Sequence, residues 1–265
     1  MSELPIVRAY GYDRKMGCLP RTLTSAGDGV YPVYGDNPDD VLLTWDEIKA
    51  AAKPSLAAMK ANIWHWINQK DQGSCCACMG AQLLMLTRKL LRLDDVVISQ
   101  ASIYAQGNGG RDAGMAIDTC MDILLKTGAC PTDVIDQYDW QGFHRNSWPS
   151  VWRTTAPRYK AARAVDAPTL QHALSMTVRG IPAGFGYFEG GGGHAVTMLG
   201  YDIETDEVIS QGSWGKGYGS DNGRHHHRRS VAEEGIKYFG AFGLYVPTDP
   251  SNDGDIPISG RENHD

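Results

Sequence analysis

A chain of 265 residues with 42% hydrophobic and 21% charged residues is long enough to bury a sizeable core and has the balance of a globular protein. Its formal net charge of -6 argues against a nucleic-acid partner, and no apolar run approaches the ~20 residues of a membrane span. Residues 1–8 lack the basic start and apolar core of a signal peptide, so a cytoplasmic location is expected.

Residues 1–57 read as an extended, Gly/Pro-rich arm followed by a short helix. Thr44 serves as its N-cap, Asp46 and Glu47 fill its first turn, and it is expected to stop near Pro54. Residues 58–150 read as a mainly helical lobe. It opens on Trp64 and Trp66, turns through residues 72–80, and continues as a run of strong helix formers from Ala81 to Leu93. A second amphipathic helix is expected from about Gly114 to Lys126, closed by Gly128.

Residues 151–247 read as a β-rich lobe, with strands expected at 181–187, 194–202, 207–211 and 238–246 after a short helix beginning near Pro168. Residues 248–265 read as a flexible tail. Helices first and strands later, with no linker or repeat, make an α+β chain of two lobes meeting at a cleft.

The six cysteines, Cys18, Cys75, Cys76, Cys78, Cys120 and Cys130, are too unevenly spaced for a disulfide scaffold, and free thiols are expected. Cys75 and Cys78 stand in C-x-x-C spacing, but no second pair or suitably spaced histidines follow, so neither a metal nor a cofactor is expected. A thiol at a helix entrance sees unpaired backbone N–H groups and the positive end of the helix dipole, which favour the thiolate. Cys78 is the candidate nucleophile. Of eight histidines, His194 is the candidate base, because it follows four glycines and opens an apolar strand. Residues 225–227, three consecutive histidines, read as a solvated loop, since neighbours on a strand point to opposite faces.

These stretches resemble the papain-like (C1) cysteine peptidases. The resemblance rests on Gln72-Gly73-Ser74-Cys75-Cys76-Ala77-Cys78, on His194-Ala195-Val196 with Gly200-Tyr201, on Ser213-Trp214-Gly215-Lys216-Gly217-Tyr218-Gly219, on Asn108-Gly109-Gly110 and on Gly243-Leu244-Tyr245, all in the family's order. It implies the two-lobed papain fold, with the central helix starting at the nucleophile and the active site in the cleft. It also implies peptide-bond hydrolysis by a Cys78–His194 thiolate–imidazolium pair, with Gln72 donating to the oxyanion, Trp214 shielding the histidine, and Gly109 and Gly110 holding substrate backbone. A peptide or protein is the implied partner, with neither nucleic acid nor membrane.

The asparagine that orients the family's histidine falls on Gly212, and Gln211 is the neighbouring side chain available to fill in. The family's disulfide partners fall on Gly107 and Phe242, and no inhibitory propeptide is recognisable. A reducing compartment and a bacterial or phage source are expected from this. Gly212 also sustains an alternative: a catalytically weak papain fold with a binding or assembly role, for instance in a virus particle. A third reading gives the same nucleophile other amide chemistry, such as cell-wall amidase or transglutaminase work.

Overall fold

The computed structural model describes residues 4–9, 12–21, 31–219 and 221–247. The expected tail, 248–265, lies outside them. Elements in chain order begin with strands β1 (Ile6–Ala9), β2 (Tyr12–Lys15) and β3 (Cys18–Leu19) and helices α1 (Trp45–Ala61), α2 (Cys75–Leu90) and α3 (Gln100–Asn108). Strand β4 (Met115–Ala116) and helices α4 (Ile117–Lys126), α5 (Gln141–His144) and α6 (Trp152–Thr155) follow. The second half holds β5 (Arg163–Asp166), α7 (Leu170–Val178), β6 (Ala183–Glu189), β7 (Gly192–Asp202), β8 (Glu207–Gln211), β9 (Arg224–Arg228), α8 (Arg229–Phe239) and β10 (Ala241–Tyr245).

Helix α1 starts where its capping box places it: the Thr44 hydroxyl accepts from the Glu47 N–H, and the Glu47 carboxylate accepts from the Thr44 N–H. It does not stop at Pro54 but runs on to Ala61. Ile48, Ala52 and Met59 form one buried face against the sheet, and that packing outweighs the single hydrogen bond the proline removes. Helix α2 is buried all along residues 75–87, as an apolar helix at the centre of a core must be. Cys76, Met79, Leu83 and Leu84 pack with Ile103 of α3, Cys120 and Leu124 of α4, and Phe242 of β10.

The main sheet runs β4-β3-β7-β6-β10-β5, with β8 on β7 and β9 on β8, and every pairing is antiparallel except β3 with β4. A bulge between Met198 and Gly200 shifts the β7–β8 register where Leu56 of α1 presses on Gly200, a close approach that leaves little room for a side chain.

The histidine run is not a loop. Residues 224–228 form β9, so His225 and His227 turn inward and are buried while His226 faces outward. The alternation that argues against a shared metal is the same alternation that buries two of the three rings.

Candidate active site

The loop before α2 is tied down from several sides. The Asp112 carboxylate accepts from the Gly73 N–H at 2.9 Å and the Tyr104 hydroxyl at 2.8 Å, and pairs with the Lys15 ammonium. Ser74 is the N-cap residue without a side-chain cap bond, and Cys75 is the first helical residue. Its N–H is therefore one of the orphan donors of the helix start. The first intrahelical bond belongs to Cys78, whose N–H donates to the Ser74 carbonyl at 2.9 Å.

Cys75, not Cys78, meets His194. Burial opposes ionisation of Cys75, but the Cys76 thiol, the His194 imidazole and the Ala195 N–H together hold the Cys75 thiol well below its ordinary value. His194 lies near the start of β7, opposite Tyr187 of β6, and is fully buried. Neither of its ring nitrogens has a well-aligned hydrogen bond among the described residues. Cys78 sits one helical turn deeper, about 4.5 Å along the axis. Its sulfur is 3.7 Å from the Ser74 hydroxyl, and burial pushes its thiol up to about 12. It lines a small internal void with Ile67, Gln82, Gln211, Gly212 and Ser213.

Gln72, expected to donate to an oxyanion, instead closes the turn before α2. Its N–H donates to the Gln69 carbonyl at 3.2 Å and its own carbonyl accepts from the Gln69 side chain at 2.7 Å. Gln69 stands six residues before Cys75, as Gln72 stands six before Cys78. Its side chain is fully buried, accepts from the Ser213 hydroxyl at 2.6 Å and donates to the Lys15 carbonyl at 3.1 Å. Two overlapping glutamine–cysteine pairs, three residues out of phase, make the sequence ambiguous. The helix start separates them, because only Cys75 has the free first-turn amides.

Trp214 lies against His194, with ring centroids 4.8 Å apart, and against His225 at 5.2 Å. Gln211 turns away from the histidine: its amide donates to the carbonyls of Gly223 at 3.1 Å and Gly212 at 3.3 Å. The expected asparagine position is empty of side chain at Gly212. A Cβ there would fall 2.0 Å from Nε2 of His225, a residue that the sequence reading assigned to a solvated loop. The only signal available was the in–out alternation of residues 225–227 had they been read as a strand.

Gly109 and Gly110 do not reach the cysteine. Gly109 caps α3 in the left-handed conformation, and Gly110 packs against His144 and Trp140. Four residues beyond Gly110 comes Gly114, and next to it the Met115 carbonyl accepts from the Cys76 thiol at 2.9 Å. Here the N-terminal arm lies in the groove as a strand. The Met115 N–H donates to the Gly17 carbonyl at 2.8 Å, Cys18 pairs with Met115 on one side and Gly193 on the other, and Leu19 pairs with Ala116. Met16 and Cys18 are buried beneath this crossing, as are Cys75 and His194. Among the described residues no group of three His, Cys, Asp or Glu is placed to hold a metal ion, and no helix is long and apolar enough to cross a membrane.

No protein-family model matches the sequence. A curated relative, the cathepsin B-like CP3 of Giardia intestinalis, is 27% identical over an alignment of 183 positions that covers 57% of this chain and 61% of that protein. The chain thus spans about three-fifths of the length of the curated relative it matches. Among solved structures, xylellain, a cysteine protease from Xylella fastidiosa, superposes with a TM-score of 0.69 at 19% identity, covering 87% of this chain and 96% of that one. Procathepsin B S9 from Trypanosoma congolense superposes with a TM-score of 0.62 at 13% identity, covering 86% of both chains. Digestive procathepsin L 3 of Tenebrio molitor larval midgut reaches 0.57 at 14% identity over 70% of this chain and 67% of its own. The mixed helix-and-sheet architecture described above is the fold of the papain-like cysteine proteases.

Proposed function

We propose that this chain, built on the papain-like cysteine protease fold, is a cysteine peptidase whose nucleophile is Cys75 and whose proton carrier is His194. The observation that carries the reading is the His194 imidazole acting on a thiol that opens the buried central helix, where burial alone would have kept that thiol neutral.

In this reading the Cys75 thiolate attacks the carbonyl carbon of a peptide bond held along the groove. The negative charge that develops on the carbonyl oxygen is met by the Cys75 N–H, free at the helix start, and by the Gln69 amide once the Lys15 carbonyl has left it. His194 gives its proton to the departing amine, leaving a thioester on Cys75. It then takes a proton from water, whose oxygen attacks the thioester carbon, and returns that proton to the sulfur as the acid leaves. Gly114–Met115 and Gly192–Gly193, which now grip the arm, supply the backbone edges for an extended substrate. All six cysteines are free thiols, which fits a reducing compartment such as the cytoplasm or a particle assembled within it.

The test is reaction of the full chain with a thiol-directed peptidyl epoxide followed by mass mapping, alongside cleavage of a peptide library. Labelling at Cys75 that requires His194 supports the reading; labelling at Cys78, or spread over the thiols, overturns it. One observation favours a binding role with dispensable chemistry: Cys75 and His194 are both fully buried. That role predicts a Cys75→Ala chain that binds its partners like the parent, with no cleavage by either.

A further inference from the structure

The papain-like arrangement asks for a side chain behind the histidine, and at Gly212 this chain has none. The space is not empty. The His225 ring reaches across from β9 and places its Nε2 where a side chain at residue 212 would begin, 2.0 Å from that Cβ position. No residue larger than glycine fits there while His225 stays. The two imidazoles are neighbours, 5.7 Å apart by centroid with planes inclined by 25°, and no hydrogen bond is formed between them in this structure. Trp214 lies over both.

Three buried nitrogens in this cluster lack partners among the described residues: both nitrogens of His194 and Nε2 of His225. Unsatisfied buried polar atoms in a folded chain call for an explanation. In the proposed reading one nitrogen of His194 serves Cys75. The other needs an acceptor whenever the ring is protonated.

We propose that His225 is the positioning residue for His194, supplying through Nε2 the acceptor that the missing side chain at Gly212 does not. This rests on the reading of Cys75 and His194 as the reactive pair. The tautomer follows from the far side of the ring: Nδ1 of His225 is 2.9 Å from the Tyr187 hydroxyl. With Nδ1–H donating to Tyr187, Nε2 carries a lone pair and can accept from His194. The Glu189 carboxylate stands beside the Tyr187 hydroxyl and can accept its hydrogen bond, so each member of the row Glu189–Tyr187–His225–His194 would orient the next. The groups around His225 are His194 on β7, Tyr187 on β6, Tyr218 stacked on its ring at 4.6 Å, and His226 and His227 on its own strand. Burial, followed by the charge that His194 can carry, holds His225 well below the ordinary histidine range, so it stays neutral and keeps its lone pair.

The experiment uses the full chain with ¹⁵N-labelled histidine. The ring shifts of His225 are expected to report a neutral ring protonated at Nδ1, and those of His194 to change in His225→Ala but to be kept in Gly212→Asn/His225→Ala, where an amide returns to the vacated place. On a cleavable peptide, His225→Ala is expected to lower kcat roughly 10- to 100-fold, below the ~10⁴ of a mis-set tautomer, with KM within about twofold; the double variant recovers most of that loss. A proton on Nε2 of His225, a kcat within about twofold of the parent in His225→Ala, or a double variant no better than the single one overturns the assignment. The outcomes also separate the two readings. If Cys75→Ala is inactive while His225→Ala is fully active, positioning falls and the peptidase stands. If no peptide is cleaved but the ring shifts are as stated, the peptidase falls and positioning stands.

Discussion

The side-chain amide of Gln69 donates to the backbone carbonyl of Lys15 across 3.1 Å, so the arm occupies a donor that the proposed chemistry needs. The same stretch is held by Arg14, which donates to the Asn68 side chain at 2.6 Å and the Lys70 carbonyl at 3.0 Å, and by the Lys15–Asp112 ion pair. In the proposed reading, arm and substrate compete for one set of backbone edges. The tightest point of this crossing is Gly17, where an added Cβ would lie 1.8 Å from the Gly73 carbonyl oxygen. A backbone atom fixed by Asp112 has nowhere to go. Gly17→Ala is expected to lift the arm and raise kcat/KM for a small peptide by on the order of tenfold, equivalent to about 1.4 kcal/mol of lost docking. Steady-state assays of parent and variant decide it, and an unchanged kcat/KM would count against competition.

Cys75 and Cys78 make the sharpest pair of substitutions. Cys75→Ala is expected to abolish turnover, by at least ~10³-fold, because no other nucleophile takes its place at the helix start. Cys78→Ala removes one buried sulfur next to a void and is expected to cost about 1–2 kcal/mol of stability while leaving kcat within a few-fold. Urea unfolding and peptide assays on both variants read the two effects separately.

What the sequence revealed of this site, and what it hid, follows from the range of the interactions involved. His194 and Trp214 could be picked out because each sits in a local pattern, glycines before a strand in one case and Ser213-Trp214-Gly215 in the other. The helix entrance was readable as chemistry but not in register, since Gln69 and Gln72 offer the same six-residue offset to Cys75 and Cys78. Only hydrogen bonding resolves the offset: Cys78 already spends its N–H on Ser74. His225 was out of reach for a different reason. Its inward face exists because β9 pairs with β8 across the loop that follows Gly212, a contact no local pattern specifies. Gly109 and Gly110 had the right composition for a cleft turn, yet the chain spends that turn on capping α3 and reaches the groove at Gly114.

The depressed Cys75 thiol sets the expected pH dependence of alkylation. A group whose pKa is lowered in the folded chain is ionised above that lowered value and protonates only as pH falls through it. Reaction of Cys75 with a small alkylating reagent should therefore persist at neutral pH, well below the ordinary thiol value of 9.0, and decline only in acid. Cys78, pushed to about 12, and Cys120, also raised by burial, should stay unreactive across the same range. Mass-resolved alkylation rates against pH measure this thiol by thiol; a Cys75 profile that rises only near pH 9 would remove the ion pair from the account.

His227 gives the fold an acid limit that is separate from catalysis. Its ring is buried between Phe185 and Tyr187, and its Nε2 lies 2.7 Å from the Ser210 hydroxyl. Burial, followed by the neighbouring His194 and His226, lowers its pKa from 6.5 to about 3. The unfolded chain thus binds a proton at this position below about pH 6.5, whereas the folded chain does so only near pH 3. Stability from this ring is fully present above pH 6.5, falls as pH drops through that interval, and is exhausted near pH 3, with a total on the order of a few kcal/mol. His227→Gln keeps a hydrogen-bonding partner for Ser210 and has no ring to titrate. Its unfolding free energy in urea, measured from pH 7 to pH 4, should fall less steeply than the parent's. Parallel slopes would mean that the acid sensitivity lies elsewhere, with His225 the next ring to replace.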